Sequence, residues 1–400
     1  MKLKDHIHNM FRVYCREFKM VTKDVGIILF FMFLPLAYPI IYSLIYNPEL
    51  VKDVSMVVVD HDRTPLSREL VRKMDACDQA HVIGYATDLS DARHAMNSHK
   101  AFAILEIPSG FERKVGRSET ANAVMYCDMS LLLRYRGFLV AATNVMEDFS
   151  SELMTEKIDE IAPLAETVMS GDLLPIHNVS MGNIRNGFDS FIMPGVLILI
   201  LQQCIILAVG MAGGAQRESM RLTGYCSDNL APSIPLTMLA QTLCYLTILI
   251  IPIIFMLHYV PLIFRFPMAG NPLEIFAFIL PMIIASFGVG FAFQSLVTER
   301  ETVFVLWVAT SLIFLLLSGL IWPMYDMPTA WRWLASICPS TWGVEGFIKM
   351  NANGASLSQV SGPYINLWIL AIAWCLIGYC SRRWVVRPAL KRLSRSSITN

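Results

Sequence analysis

Residues 191–214 read Phe191-Ile-Met-Pro-Gly-Val-Leu-Ile-Leu-Ile-Leu-Gln-Gln-Cys-Ile-Ile-Leu-Ala-Val-Gly-Met-Ala-Gly-Gly214 and contain no Asp, Glu, Lys or Arg. About 20 helical residues, at about 1.5 Å each, cross the apolar core of a bilayer, and a charge at its centre costs about 3 kcal/mol. This stretch is therefore predicted to span a membrane. Six predominantly apolar runs are long enough to do so: Gly26 to Tyr46, Phe191 to Gly214, Ile234 to Val260, Leu273 to Val297, Val303 to Trp322 and Tyr364 to Trp384.

The composition of the whole chain agrees with this prediction. Of its 400 residues, 55% are hydrophobic and only 16% are charged, whereas soluble domains average about 25% charged residues. A soluble or disordered chain is therefore excluded. The 32 Lys and Arg balance the 32 Asp and Glu, so no net positive field predicts a nucleic-acid partner.

The charges are concentrated between the first two runs. Residues 47–190 hold 14 Lys and Arg and 22 Asp and Glu, which is more than half of all the charges in the chain. We therefore predict a polar domain over 47–190, after a first span at 26–46. Residues 191–384 then hold the other five spans. The predicted fold is a six-span helical membrane protein with one inserted domain.

Basic residues predict the orientation of these spans. Six precede the first span and six follow or end the last: Lys2, Lys4, Arg12, Arg16, Lys19, Lys23, Arg382, Arg383, Arg387, Lys391, Arg392 and Arg395. Because basic flanks stay in the cytoplasm, both termini are predicted to be cytoplasmic, including a basic tail over 385–400. The domain over 47–190 is then extracytosolic.

The leader over 1–25 has apolar residues at helical spacing: Ile7, Met10, Phe11, Tyr14, Phe18 and Val21. Basic residues lie on its other faces, so the pattern predicts an amphipathic helix at the membrane surface. A cytoplasmic helix that packs on a partner protein is the alternative interpretation. Both place the leader beside the first span.

The inserted domain shows an α+β pattern. Strands are predicted at Ser55–Asp60, Ala101–Ile107 and Ala123–Tyr126, with helices after Thr64-Pro65 and from Tyr135 to Phe149. Asp60-His61-Asp62 resembles a set of metal ligands, but a strand end followed by a helix cap explains it equally well, and no metal site is predicted. Cys77 and Cys127 could form a disulfide or stay reduced, and spacing does not decide between these states.

Several catalytic motifs are absent from the sequence. It contains no G-x-x-x-x-G-K-[ST] phosphate loop, no H-E-x-x-H and no G-x-S-x-G, so we expect no enzymatic activity and no cofactor on this chain. The centres of the six runs also lack ionisable side chains, which disfavours an ion-coupled carrier. Gln241 and Gln294 are interpreted as hydrogen-bonding residues between helices.

The segment after the fifth run carries the most specific pattern. It reads Leu317-Ser-Gly-Leu-Ile-Trp-Pro323-Met-Tyr-Asp-Met327-Pro328, then Cys338-Pro339-Ser-Thr-Trp, Glu345-Gly346-Phe347 and Asn353-Gly354. This series resembles the permease subunits of type-2 ABC exporters, a family with a large extracytosolic domain between the first two of six spans. The resemblance implies a re-entrant segment over 323–350, whose key residues are Gly319, Pro323, Pro328, Pro339, Glu345 and Gly346.

The resemblance also implies how the protein works. The leader is similar to the family's elbow helix, and two cytoplasmic segments are similar to its ATPase-coupling elements: Arg217, Glu218 and Arg221 in one, and Glu299, Arg300 and Glu301 in the other. The loop Arg217–Asp228 is expected to transmit closure of the ATPase. Arg217 and Arg221 share a helical face that is expected to meet an acidic groove on the ATPase, and the alternative is that these arginines only anchor the chain to lipid headgroups. The family implies ATPase subunits that carry ATP and Mg, a second permease copy or paralogue, and membrane lipid as partners.

A bacterial inner membrane and a periplasmic adaptor protein are further expectations of the resemblance. Two other functions stay open at this point. A secondary carrier would use a proton gradient without any ATPase. A receptor or scaffold would use the extracytosolic domain to bind a partner, although one span would be sufficient to anchor it.

Overall fold

The computed structural model describes residues 3–46, 52–117, 119–129, 132–161, 188–223, 233–297 and 299–398. The contacts between residues divide the chain into two compact units. One comprises Met1–Asn47 and Ser180–Asn400, and the other is Pro48–Val179. The predicted domain boundaries at 47 and 190 stay predictions, because residues 47–51 and 162–187 lie outside the described residues.

The described elements follow one another in this order: α1 (Leu3–Lys23), α2 (Val25–Ile28), α3 (Leu34–Tyr46), β1 (Val54–Asp60), α4 (Pro65–Asp75), β2 (Ala80–Tyr85), α5 (Leu89–Asn97), β3 (Ala103–Ile107), α6 (Phe111–Gly116), β4 (Val124–Cys127), α7 (Leu132–Ile161), α8 (Phe188–Thr223), α9 (Ile234–Ile254), α10 (Val260–Phe264), α11 (Pro272–Phe293), α12 (Thr302–Leu317), α13 (Thr329–Ser336), α14 (Pro339–Asn353), α15 (Ser361–Ser381) and α16 (Arg387–Ile398). Three π-helical turns, Leu29–Phe33, Phe255–Tyr259 and Arg382–Val386, join neighbouring helices into longer rods.

Among the described residues, five continuous helical stretches are long and apolar enough to cross a membrane: Val25–Ile45, Asp189–Thr223, Ile234–Phe264, Pro272–Phe293 and Ser361–Arg392. They correspond to five of the six predicted runs. The fifth run, predicted over Val303–Trp322, forms the shorter helix α12 of 16 residues. Gly319 ends it early, because its φ of +80° is a left-handed conformation that leaves the helix. The structure thus shows a polytopic helical protein, and the count of six spans stays a prediction.

Helix α8 lies at the centre of the helical unit. Its apolar window is 89% buried, and α3, α11, α12, α14 and α16 all pack against it. Gln202, Gln203 and Gln216 on α8 are also buried, so the apolar part of this helix is surrounded by protein. The helices at the periphery expose many apolar side chains, as expected of surfaces that face lipid.

The other unit contains a four-stranded sheet in the order β2-β1-β3-β4. Strand β1 is parallel to both β2 and β3, while β4 is antiparallel to β3. The three predicted strands are confirmed, as are the helix that begins at Pro65 and the long helix that contains Tyr135–Phe149. Strand β2 was not predicted. It lies at the edge of the sheet, where His81, Ile83 and Tyr85 are exposed and only Ala80 is buried, and its sequence lacks the long apolar run of a central strand.

The Asp60-His61-Asp62 segment forms a set of caps. Asp60 accepts hydrogen bonds from the Asp62 and Arg63 amides and from the Ser67 hydroxyl. Asp62 accepts from the Gly110 amide at 2.6 Å and from the Glu112 amide at 2.9 Å, and therefore caps α6. Within the described residues, no group of three or more His, Cys, Asp or Glu is arranged to hold a metal. Cys77 and Cys127 are both free thiols.

The hydrogen bonds of Asp62 predict that the sheet unit becomes less stable in acid. Burial raises the pKa of Asp62, but hydrogen bonds from the Glu112 amide, the Thr64 hydroxyl and the Gly110 amide outweigh burial and hold the pKa below its usual value. Because the folded-state pKa is lower than the unfolded value of about 3.9, this stabilisation is complete above about pH 4. It is lost as the pH falls through the folded-state pKa.

We expect Asp62→Ala to destabilise this unit by about 1–3 kcal/mol at pH 7. The measurement is the urea dependence of Cys77 alkylation in the full-length protein, read by mass spectrometry of the modified peptide. Asp78→Ala is the control, because the Asp78–Lys52 ion pair is exposed and contributes at most about 1 kcal/mol. Equal urea midpoints for Asp62→Ala and the wild type would contradict the capping role.

Candidate coupling site

Helix α1 buries one narrow face. Val13, Glu17 and Val21 follow one another at i,i+4 spacing and are completely buried, and α1 packs mainly on α9. Ile7, Phe11 and Phe18, which belong to the predicted apolar face, are exposed instead. Helix α1 therefore has a face against protein and an adjacent apolar face without protein cover, as expected for a helix at a membrane surface.

The carboxylate of Glu17 is the centre of a buried polar cluster of Glu17, Gln216, Gln241, Tyr245 and Arg382. Its Oε1 accepts hydrogen bonds from the Nε2 atoms of Gln216 and Gln241, each at 2.9 Å. Its Oε2 accepts from the Tyr245 hydroxyl at 2.8 Å. Both oxygens are thus bonded, which a carboxylate removed from water requires. The cluster connects α1 to α8 and α9.

Arg382 extends this cluster to the C-terminal helix. Its Nη1 donates to Oε1 of Gln241, and the guanidinium lies 5.9 Å from the centroid of the Phe291 ring. Arg382 is only 1% exposed and begins the π-helical turn after α15. One Gln241 amide therefore contacts both an acid from α1 and a base from the C-terminal helix. The cluster joins elements that are up to 365 positions apart in the sequence.

The predicted coupling residues all line one small cavity. Their side chains and Gly214 surround a volume of about 250 Å³, which we call the basal recess: Gly214, Arg217, Glu218, Arg221, Glu299, Arg300 and Glu301. The prediction placed Arg217–Arg221 in a loop, but α8 continues through Thr223, so these residues form its last turns. Residues 224–228, the rest of the predicted loop, lie outside the described residues.

Arg300 connects three elements at the basal recess. Its Nη1 lies 2.6 Å from Oδ2 of Asp24, and its Nε lies 2.5 Å from Oε2 of Glu218. Asp24 in turn caps α2 by accepting hydrogen bonds from the Gly26 and Ile27 amides. Arg300 thus links the junction after α1, the end of α8 and the segment before α12. Asp24 was not predicted as a site residue.

Arg217 and Arg221 have different environments. Nη2 of Arg217 donates to the backbone carbonyl of Gln294 at 2.8 Å, so this side chain bonds within the chain. Arg221 is exposed, as are Glu218, Glu299 and Glu301. Arg221 is therefore accessible for the expected contact with a partner, whereas the side chain of Arg217 is already bonded within the chain. The coupling role of all six residues stays a prediction.

The predicted re-entrant segment contains two short helices. Pro328 is the N-cap of α13, and Pro339 is at the start of α14, where a proline sacrifices no intrahelical hydrogen bond. Pro323 lies in the connection between Gly319 and α13, and Glu345 pairs with Lys349 at 2.7 Å. The three prolines thus lie between or at the start of short helices, and the re-entrant character of the segment stays a prediction.

Side chains satisfy the carbonyl groups in this broken region. Arg332 donates to the carbonyls of Met324, Tyr325 and Met327, and Thr341 donates to the last carbonyl of α12, that of Leu317, at 3.0 Å. Irregular backbone is tolerated near lipid only where the protein satisfies its polar groups in this way. The hydrogen bonds of Arg332 were not predicted, since a single arginine in a loop carries no distinctive spacing.

Comparison with known proteins identifies the family. A family model described as ABC-2 family transporter protein matches residues 25–380. This match covers most of the chain, including the first span, the sheet unit and the two short helices. Among curated proteins, no sequence matches the chain significantly.

The buried carboxylate generates a prediction about stability. We expect Glu17→Ala to destabilise the helical unit by about 3–5 kcal/mol, because it leaves three buried donors without their acceptor. Glu17→Gln keeps one acceptor oxygen and is expected to have a smaller effect. The measurement is thermal unfolding in detergent followed by tryptophan fluorescence, since all 8 tryptophans lie in the helical unit. Glu301→Ala, an exposed position, is the control, and equal melting temperatures for Glu17→Ala and this control would contradict the prediction.

A second prediction concerns the close contact between α14 and α11. A Cβ atom on Gly346 would overlap the buried ring of Phe278, whereas one on Gly362 would meet no atom within 4 Å. We therefore expect Gly346→Ala to destabilise the protein by about 1–3 kcal/mol and Gly362→Ala to be neutral or slightly stabilising. Thermal unfolding of the two variants tests this difference. Equal melting temperatures would show that Phe278 moves aside without cost.

Proposed function

This chain belongs to the ABC-2 family of transporter proteins, and we propose that it is the membrane-spanning subunit of an ATP-driven exporter. It is a multi-pass membrane protein of a family whose members are transmembrane components. In our proposal, separate ATPase subunits bind ATP and Mg and hydrolyse the nucleotide. Two permease chains, either identical or paralogous, pair to form the pathway for the substrate.

One observation carries this proposal. All six predicted coupling residues line the basal recess, and Arg300 connects that recess to the junction between α1 and α2 and to α8. A partner that displaces the exposed residues Arg221, Glu299 and Glu301 therefore also displaces the first span, because the Arg300–Asp24 ion pair connects the two. It also reaches α8, the most buried helix of the unit, through Glu218.

The electrostatics of the recess suit reversible contact with a partner. Arg300 is about one-third exposed and its two carboxylate partners are partly exposed as well, so each ion pair contributes little net stability. Such pairs exchange partners at small cost when a charged protein surface approaches. Closure of the ATPases can shift the permease only if these contacts differ between the open and closed states.

We propose the same orientation as the charge pattern predicts. Both termini and the basal recess face the cytoplasm of a bacterial cell, the chain lies in the inner membrane, and the sheet unit lies outside. A periplasmic adaptor protein is proposed as a further partner of that unit. The basic residues at both ends of the chain support this orientation.

A proton-driven carrier is the alternative that one observation favours. Glu17 is a buried acid in contact with α8 and α9, and such an acid is the usual site of proton coupling in carriers. In the exporter, Glu17 joins the helices and takes no part in energy coupling. Transport that depends on ATP and persists after the proton gradient is collapsed therefore supports the exporter.

We predict that Arg221→Glu weakens the association with the ATPase by about tenfold or more, because it places a negative charge against the acidic groove that we expect on the ATPase. The full-length protein is co-expressed with its ATPase and purified in mild detergent. Copurified ATPase and ATP hydrolysis are then measured. Arg221 is exposed and bonds no neighbouring helix in the described contacts, so the permease itself is expected to fold normally.

Arg265→Glu is the matched control. Arg265 is also exposed, but it follows α10 in a loop that is predicted to face the opposite side of the membrane. This variant is expected to retain the ATPase fully. The proposal fails if the wild type purifies without an ATPase and its transport follows a proton gradient. The coupling role of Arg221 fails if both reversals retain the ATPase equally.

A further inference from the structure

Two completely buried polar side chains in the helical unit have no protein partner. Gln202 on α8 and Ser340 on α14 are both 0% exposed. In the described part of the chain, no group bonds to the Gln202 amide or to the Ser340 hydroxyl. Gln202 lies at the middle of the charge-free run Phe191–Gly214, where an unbonded polar group is most costly. A ligand that bonds to both side chains would remove this cost.

Helix α14 packs against α8 and α11, and its glycines show its direction. A Cβ atom on Gly343 would contact Met282 of α11 and Ile198 of α8. A Cβ atom on Gly346, further along α14, would contact Phe278, which lies one turn earlier on α11. Helix α14 is therefore antiparallel to α11.

Helix α8 runs parallel to α11 in this region. Ile198 and Met282 share the contact with Gly343, and further along the two helices Val209 lies against Gly290. The residues that follow Ile198 and Met282 are therefore level with the residues that precede Gly343 on α14.

One turn from the Gly343 contacts, each of the three helices carries a buried polar residue. These residues, which we call the polar layer, are Gln202 on α8, Ser286 on α11 and Ser340 on α14. The Ser286 hydroxyl donates to the Met282 carbonyl at 2.8 Å, and its oxygen can still accept a hydrogen bond. The polar layer thus offers both donors and acceptors to a ligand.

The polar layer lies at the N-terminus of α14. Ser340 is the second residue of this helix, and the side chain of the N-cap residue, Cys338, makes no capping hydrogen bond. The positive end of the helix dipole therefore favours an electronegative atom in the layer. The turn just before α14 is bonded differently, because the Trp374 indole donates to the Ile337 carbonyl at 3.0 Å.

The surroundings restrict the ligand to a small uncharged molecule. The three residues of the polar layer carry no charge, so an ion would lose its hydration without gaining a counter-charge. They are completely buried, and a methyl group on Gly343 would already overlap Met282. The ligand must also donate to Oε1 of Gln202 and accept from its Nε2. Water combines this size with both hydrogen-bonding functions.

We propose that ordered water binds in the polar layer between α8, α11 and α14. It donates to Oε1 of Gln202, accepts from Nε2 of Gln202 and bonds to the Ser340 hydroxyl. Buried water commonly makes about three such hydrogen bonds. Ordered water is also one of the means by which a helix that begins inside a membrane is tolerated. The proposal does not depend on ATPase coupling or on export.

X-ray radiolytic footprinting of the full-length protein in detergent tests this site. Irradiation produces hydroxyl radicals from bound water, and these oxidise a neighbouring methionine that bulk solvent does not reach. Met282 is completely buried beside the polar layer, whereas Met256 is completely buried elsewhere in the same apolar core. We expect Met282 to be oxidised several-fold faster than Met256, as measured by mass spectrometry of the two peptides.

The double variant Gln202→Leu/Ser340→Ala removes the groups that hold the water. Its Met282 is expected to be oxidised as slowly as Met256. Ser43→Ala is the matched control, because Ser43 is an equally buried serine without a partner, on α3 and outside this layer. It is expected to leave the oxidation rate of Met282 unchanged. If the double variant does not fold, Ser340→Ala alone provides the test and is expected to give an intermediate rate.

Rapid mixing with water that carries a heavy oxygen isotope distinguishes bound water from bulk water. Met129 is 68% exposed and reports on bulk water. In our proposal, oxidised Met282 still contains the light isotope when oxidised Met129 already contains the heavy one. Equal time courses would show that bulk water enters between the helices, and would overturn the proposal. Equal oxidation of Met282 and Met256 in the wild type would overturn it as well.

Discussion

The helical unit depends on how it accommodates the carboxylate of Glu17. A charge that is fully removed from water is tolerated only if every oxygen finds a donor and a compensating charge lies near. Gln216, Gln241 and Tyr245 supply the donors, and the positive charge is that of Arg382, which donates to the oxygen of the same Gln241 amide. These partners come from α8, α9 and the C-terminal helix. Each of these helices must therefore keep its register relative to α1, and the cluster specifies their arrangement more tightly than apolar packing alone.

The sequence was sufficient to predict elements whose signal is local. Apolar runs predicted the long helices, and a cap followed by proline predicted α4. It was insufficient where the cause was a backbone conformation or a distant partner. The length of α12 depends on the left-handed Gly319, and β2 depends on pairing with β1 at the edge of a sheet.

The sequence was likewise sufficient to predict only part of the candidate site. The six charged coupling residues were predicted, and the structure brings them to one recess, but it also shows that Arg217 bonds within the chain while Arg221 does not share that contact. Glu17 and Asp24 were missed. Glu17 has a local signal, since it lies midway between Val13 and Val21 on a buried face, where an acid demands a partner. Asp24 has none, because Arg300 is 276 positions away in the chain.

The two polar centres differ in how easily they can rearrange, and this difference shapes the proposed mechanism. The buried polar cluster is costly to break, so α1, α8, α9 and the start of the C-terminal helix are expected to move together. The ion pairs of Arg300 are partly exposed, contribute little net free energy and can be exchanged. A partner that competes for Asp24 or Glu218 would therefore release the segment before α12 while the Glu17 cluster stayed intact. In this mechanism the ion pairs of Arg300 break and re-form, while the helices joined by the Glu17 cluster move as one rigid body.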